Sequence, residues 1–232
     1  MKIVPNPQKG STTIKKHKLM IIIDDLIAAG VTYLAVEGII WGINKFKEWS
    51  LKRKTKEFRV KPELTDEDRA LVEKCREVMK ENFPEGIEKR FRSLSLNERT
   101  ALLRKMILEL NGIYGVNVRD IAFLHSREIG EGTLGYYDID SNCIRFNVDY
   151  IDIDNPELWT HIIGTVFHEL RHALQYRAVT DSSFNYGTQE QLRLWALNLV
   201  NYIPANVDFA LYQEQIVEAD ARQIAELIIN KF

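Results

Sequence analysis

The chain has 232 residues, 45% of them apolar and 28% charged, with a formal net charge of -2. That length supports one domain with a sizeable core, and the balanced charge gives no electrostatic reason to expect nucleic acid as a partner. Cys75 and Cys143 are far apart in sequence. They build neither a disulfide framework nor a thiolate metal site, so the expected location is a reducing, cytoplasmic one.

Residues 1–16 are polar and basic, with Pro5, Pro7 and Gly10, and read as a mobile tail. Residues 17–58 read as an apolar helix followed by a basic linker. Asp24 and Asp25 exclude a secretory signal. Between Leu26 and Ile43 the only charge is Glu37, and basic residues flank the stretch on both sides. The length just spans a bilayer, and Gly38 and Gly42 are spaced as in packed membrane helices. Residues 19–46 are therefore a candidate membrane anchor, with membrane association as the alternative location. Against insertion, Glu37 would cost roughly 2–3 kcal/mol near the bilayer centre. The other reading is a helix that packs on protein.

Residues 59–232 read as the main domain. Thr65 with Asp68 forms a capping box, which predicts a helix running to about Asn82, before Pro84 and Gly86. Ser95 with Glu98 forms a second box. Leu102, Leu103, Met106, Ile107 and Leu110 follow at helical spacing, and Gly112 is the expected stop. Segments 118–125, 133–138 and 143–151 read as short strands of a small antiparallel sheet, the last two joined by a turn at 139–142. Asn155, Pro156 and Glu157 then open a helix expected to reach Ala178, with Ile163, Val166, Phe167, Leu170 and Leu174 as its buried stripe. Further helices are expected over 189–200 and 207–230. The fold class is α+β.

Within the 156–178 helix stands His168-Glu169-Leu170-Arg171-His172. A spacing of four places the two imidazoles about 40° apart and one turn apart on one face. Two histidines so placed reach one metal ion from the same side. Glu169 is then positioned to contact water at the metal without ligating it. Zinc lowers the pKa of such a water to about 7, and a carboxylate can accept its proton and pass it to a leaving amine. The pattern points to Zn2+ as cofactor, His168 and His172 as ligands and Glu169 as general base.

The stretch from Thr165 to Gln175 resembles the active-site helix of zincin metallopeptidases. No third histidine and glycine follow soon after His172, which sets aside the metzincin pattern. The later segment from Tyr212 to Ala221, which contains Glu218, resembles the glutamate helix of gluzincins. The resemblance covers roughly residues 118–230 and implies a peptide or protein substrate, a third ligand that is a glutamate, and an edge strand that holds extended peptide. Residues 133–151 are where that edge is expected. Glu218 has the small neighbours Ala219, Ala221 and Ala225, which favour close packing on the metal helix. Glu214 is the alternative ligand: four residues after it stands Glu218, where an orienting acid would sit, whereas four after Glu218 stands Arg222. Asp220 lies about 200° round the helix from Glu218, outside the ligand set.

Tyr186, Tyr202 and Tyr212 are each candidates to donate to an oxyanion, with core or rim packing as the bland alternative. His161 is seven residues before His168, about 10.5 Å along the helix and too far for the same ion. The expected function is zinc-dependent peptide-bond hydrolysis. The alternatives are a non-catalytic zinc-binding interaction module, a membrane-tethered adaptor, or a hydrolase of a non-peptide amide.

Overall fold

A computed structural model of the chain describes residues 45, 53, 55–230 and 232. The chain divides into two units, residues 1–54 and residues 55–232. Lys45 and Arg53 apart, the described residues belong to the second. The tail 1–16 and the apolar segment 19–46, Lys45 excepted, lie outside the described residues. Among those described, no helix is long and apolar enough to cross a membrane. The second unit starts before the boundary read at 59, because a 3-10 turn at Lys56–Phe58 buries Phe58 in the core.

Thr65 caps α1 (Asp66–Asn82) reciprocally: its hydroxyl accepts from the Asp68 N–H at 3.1 Å, and Asp68 Oδ2 accepts from the Thr65 N–H at 2.9 Å. A short helix, α2 (Ile87–Arg92), follows. With only Ile87 and Phe91 buried, it is too brief for a periodic pattern to reveal it. The helix α3 (Leu96–Tyr114) starts where Glu98 accepts from the Ser95 N–H. It stops at Gly115 rather than Gly112, because the left-handed cap falls at Gly115, φ +64°. Gly112 keeps helical geometry, which carries the buried Tyr114 one turn further into the core.

The sheet is mixed, not antiparallel, with strand order β1-β3-β2. β1 (Asp120–Leu124) runs parallel to β3 (Cys143–Asn147), and β2 (Gly135–Asp138) runs antiparallel to it. β2 and β3 form the expected hairpin. A single helical turn, α4 (Ser126–Ile129), lies in the connection from β1, which therefore enters the sheet on the far side of β3. Strand direction is invisible to side-chain alternation, which is the same in both cases. β3 is central, with Cys143, Ile144, Phe146 and Asn147 all buried, which explains why its apolar residues do not alternate. It ends at Asn147, whose side chain caps α5 (Val148–Asp152), so the expected strand over 143–151 is half helix.

The 25-residue α6 (Pro156–Thr180) runs through the middle of the unit. Asn155 accepts from the N–H groups of Glu157 and Leu158, and Trp159, Ile162, Ile163, Val166, Phe167, Leu170 and Leu174 are buried. α6 packs on α3 and β2, on α7 (Gln189–Val200), and most extensively on α9 (Ile216–Ile229). Small residues allow the close α6–α9 approach: Ala221 and Ala225 are buried, and a Cβ on Gly164 would meet Ile229 at 3.3 Å. The helix expected over 207–230 is two, α8 (Phe209–Glu214) and α9, separated at Gln215. The Gln215 side chain turns back to bond the N–H and C=O of Ile203, and its own backbone leaves the helical region (ψ 140°).

Gly115→Ala should lower unfolding stability by at least about 1 kcal/mol, the cost of a left-handed non-glycine residue. Its Cβ would also press on Phe184, 2.9 Å away. The midpoint of urea denaturation measures this.

Candidate metal centre

His168 and His172 turn their Nε2 atoms toward each other at 3.0 Å. Glu218, in the first turn of α9, closes the triangle: its Oε2 lies 3.3 Å from His168 Nε2 and its Oε1 lies 3.4 Å from His172 Nε2. One ligand atom from each of the three residues lies within 4.8 Å of the other two, close enough for a single ion to be shared among them. Glu218 Oε2 is buried without a hydrogen-bond donor, an orphan that a cation would satisfy. Two imidazoles and one carboxylate form a donor set that suits zinc, and too few oxygens are present for calcium or magnesium. These three are the one such grouping among the described residues. Burial opposes the charge on Glu218, yet the two imidazoles overcome this and hold its carboxyl far below the ordinary range. Burial likewise opposes the charging of His172, but the Glu218 carboxylate raises it to about 9.

His172 is oriented from behind. Its Nδ1 meets Gln175 Oε1 at 2.9 Å. The Gln175 amide nitrogen donates to Val217 O at 3.0 Å and to Asp220 Oδ2 at 2.7 Å. Because that nitrogen has acceptors on α9, the amide oxygen is the atom left facing the imidazole. In the neutral ring Nδ1 then carries the proton, and the Nε2 lone pair becomes available to a metal once the second proton has left. Gln175 and Asp220, which support His172 through these bonds, are absent from the candidate set read off the sequence. The signal for Gln175 was its place three residues after His172, on the same helix face.

Glu169 is buried beside the triangle, and its Oε2 accepts from the Tyr137 backbone N–H at 2.8 Å. Burial pushes its carboxyl above the ordinary value, against the opposing pull of His168 and His172. The donor comes from β2, an edge strand of the sheet, so that edge lies directly along the metal-binding face of α6. An open cleft of about 400 Å³ leads away from His168 and Glu169 between β2, α6 and α9.

No family model, no curated protein and no solved structure matches the chain.

The remaining candidates separate clearly. Glu214 is on α8 and pairs with Arg59 at 2.6 Å, away from the histidines. Tyr202 donates to Glu218 Oε1 at 2.7 Å, and Tyr212 stands edge-on to Tyr202. Tyr186 instead bonds Asp68 and Arg171. His161 is largely exposed on the cleft rim, paired only loosely with Glu157. Cys75 and Cys143 are free and buried.

Gln175→Leu should weaken zinc binding about 10–100-fold, the usual loss when an orienting partner is removed, as read by competition with a chelating dye. Zinc entering this site would have to displace a proton from His172, which Glu218 raises to about 9 in the metal-free site. Apparent zinc affinity should therefore climb as pH rises from 6 toward 9, about tenfold per unit for each proton released.

Proposed function

We propose that this protein is a zinc metallopeptidase of the zincin type, with His168, His172 and Glu218 holding the ion and Glu169 as general base. The observation that carries the reading is the convergence of Glu218 on the two histidines with a buried carboxylate, Glu169, beside them and outside the ligand set. A purely structural zinc site has four protein ligands and no use for such a neighbour. Here three ligands leave one position open, and an open cleft reaches His168.

His168, His172 and Glu218 would hold a zinc ion, which would supply the Lewis acidity that activates a water for attack. Glu169 takes the proton from the attacking water. Burial beside the histidines keeps this carboxylate out of bulk water, and it can hold the proton until the amine departs. The Tyr137 N–H keeps that carboxylate fixed, so no reorganisation is needed as charge moves. A peptide is the favoured substrate because the edge strand β2 borders the cleft at Gly135, and an extended chain in that cleft would lie along it. Tyr202 and Tyr212, beside Glu218, are the candidates to donate to an oxyanion.

Glu169→Gln should retain one zinc per chain and lose about 10²–10⁴-fold in kcat on a cleavable peptide, whereas His168→Ala should lose the metal. Zinc content by atomic absorption and peptide turnover check both. Unchanged turnover in Glu169→Gln would remove the general-base assignment, and a native chain that takes up no zinc would remove the whole reading.

A further inference from the structure

Of the eight large apolar side chains exposed among the described residues, four fall between 200 and 209: Val200, Tyr202, Val207 and Phe209. Val200 is 86% exposed and Phe209 60%. In a protein with 28% charged residues, the stretch 200–212 carries a single charge, Asp208, and that carboxylate is used to cap α8 through the Leu211 N–H.

These side chains are held out on a firm base. Gln215, fully buried, accepts from the Ile203 N–H at 2.7 Å and donates to the Ile203 carbonyl at 2.9 Å. Asn198 donates to the same Gln215 oxygen at 2.8 Å and accepts from the Val217 N–H at 3.1 Å. The loop is thus clamped at its middle to the ends of α7 and α9. Its aromatic residues lead inward in steps. Phe209 stacks on Tyr212 at 6.1 Å, Tyr212 stands edge-on to Tyr202 at 6.3 Å, and Tyr202 reaches Glu218. A chain of aromatic contacts therefore runs from the exposed Phe209 through Tyr212 and Tyr202 to Glu218, a residue of the candidate metal centre.

We infer that the 200–209 loop is a substrate-selecting wall that receives the bulky apolar side chains of an uncharged peptide segment lying at the metal centre. The inference rests on the peptidase reading for the nature of the ligand. Removing a Leu- or Phe-sized side chain from water against this wall corresponds to about tenfold or more in affinity. An anionic side chain finds no cationic partner on the loop and gains nothing.

The test uses the full chain as Glu169→Gln, loaded with zinc so that bound peptide is not consumed. Two fluorescein-labelled peptides of equal length are compared by anisotropy, one rich in Leu and Phe, the other with Asp and Ser in their places. The apolar peptide should bind at least about tenfold more tightly, and the double variant Val207→Ser/Phe209→Ser should abolish most of that preference. Both side chains are exposed, so the double variant keeps the core intact. Equal affinity for the two peptides, binding of neither, or a preference that survives the double variant would each overturn the inference. So would a dimer, seen by sedimentation, that the double variant dissolves, because the wall would then belong to a second copy. Selectivity is read here without turnover. Absence of zinc-dependent cleavage in the native chain would count separately, against the peptidase reading.

Discussion

One buried guanidinium organises this fold. Arg171 has no exposed surface and sits between two carboxylates, Asp220 at 2.8 Å and Asp68 at 2.7 Å. Tyr186 accepts another of its N–H groups, and its plane lies over the rings of Tyr186 and Trp195. Burial works against that charge, but the two carboxylates outweigh it and keep Arg171 ionised. A buried charge that loses one partner costs roughly 3–5 kcal/mol, so α1, α6 and α9 have one low-energy arrangement in which all three groups meet. Asp68 and Asp220 serve twice. Asp68 also closes the N-terminal cap of α1, and Asp220 also holds Gln175, which orients His172. Helix packing and imidazole orientation are thus two outcomes of one network.

The candidate centre joins local and distant contributions of different strength. The two histidines and Glu169 come from consecutive turns of a single helix, where hydrogen bonding fixes relative positions to within rotamer choice. Glu218 comes from a helix that starts after a break, and its reach depends on the α6–α9 distance. Small side chains at Gly164, Ala221 and Ala225 set that distance. Glu218 also lies in the first turn of α9, where the helix dipole favours a carboxylate.

Two polar side chains spend their hydrogen bonds shaping backbone rather than solubilising surface. Asn147 ends β3 and starts α5, and Gln215 separates α8 from α9 while clamping Ile203. Each interrupts an element whose apolar pattern runs on uninterrupted. At Gln215 the clamp on Ile203 holds the neighbouring Tyr202 where its hydroxyl donates to Glu218.

The sequence by itself determined what depends on neighbours within one helical turn. The capping boxes at Thr65 and Ser95, the Asn-Pro-Glu start of α6, and the shared face of His168, Glu169 and His172 are all of this kind, because three- and four-residue spacings are set by helix geometry alone. The α+β class followed from the same periodicities. Tertiary structure alone decided the rest. The small neighbours of Glu218 favoured it over Glu214 in sequence, but the break at Gln215 and the packing of α9 on α6 are what bring Glu218, not Glu214, to the histidines. The parallel pairing of β1 with β3 depends on which side of the hairpin a distant strand enters. Arg171 shows in sequence only as a charge inside an apolar helix, and its partners lie 103 residues before it and 49 after it along the chain. A buried ion pair is formed by whatever the fold brings together, and no local spacing encodes that.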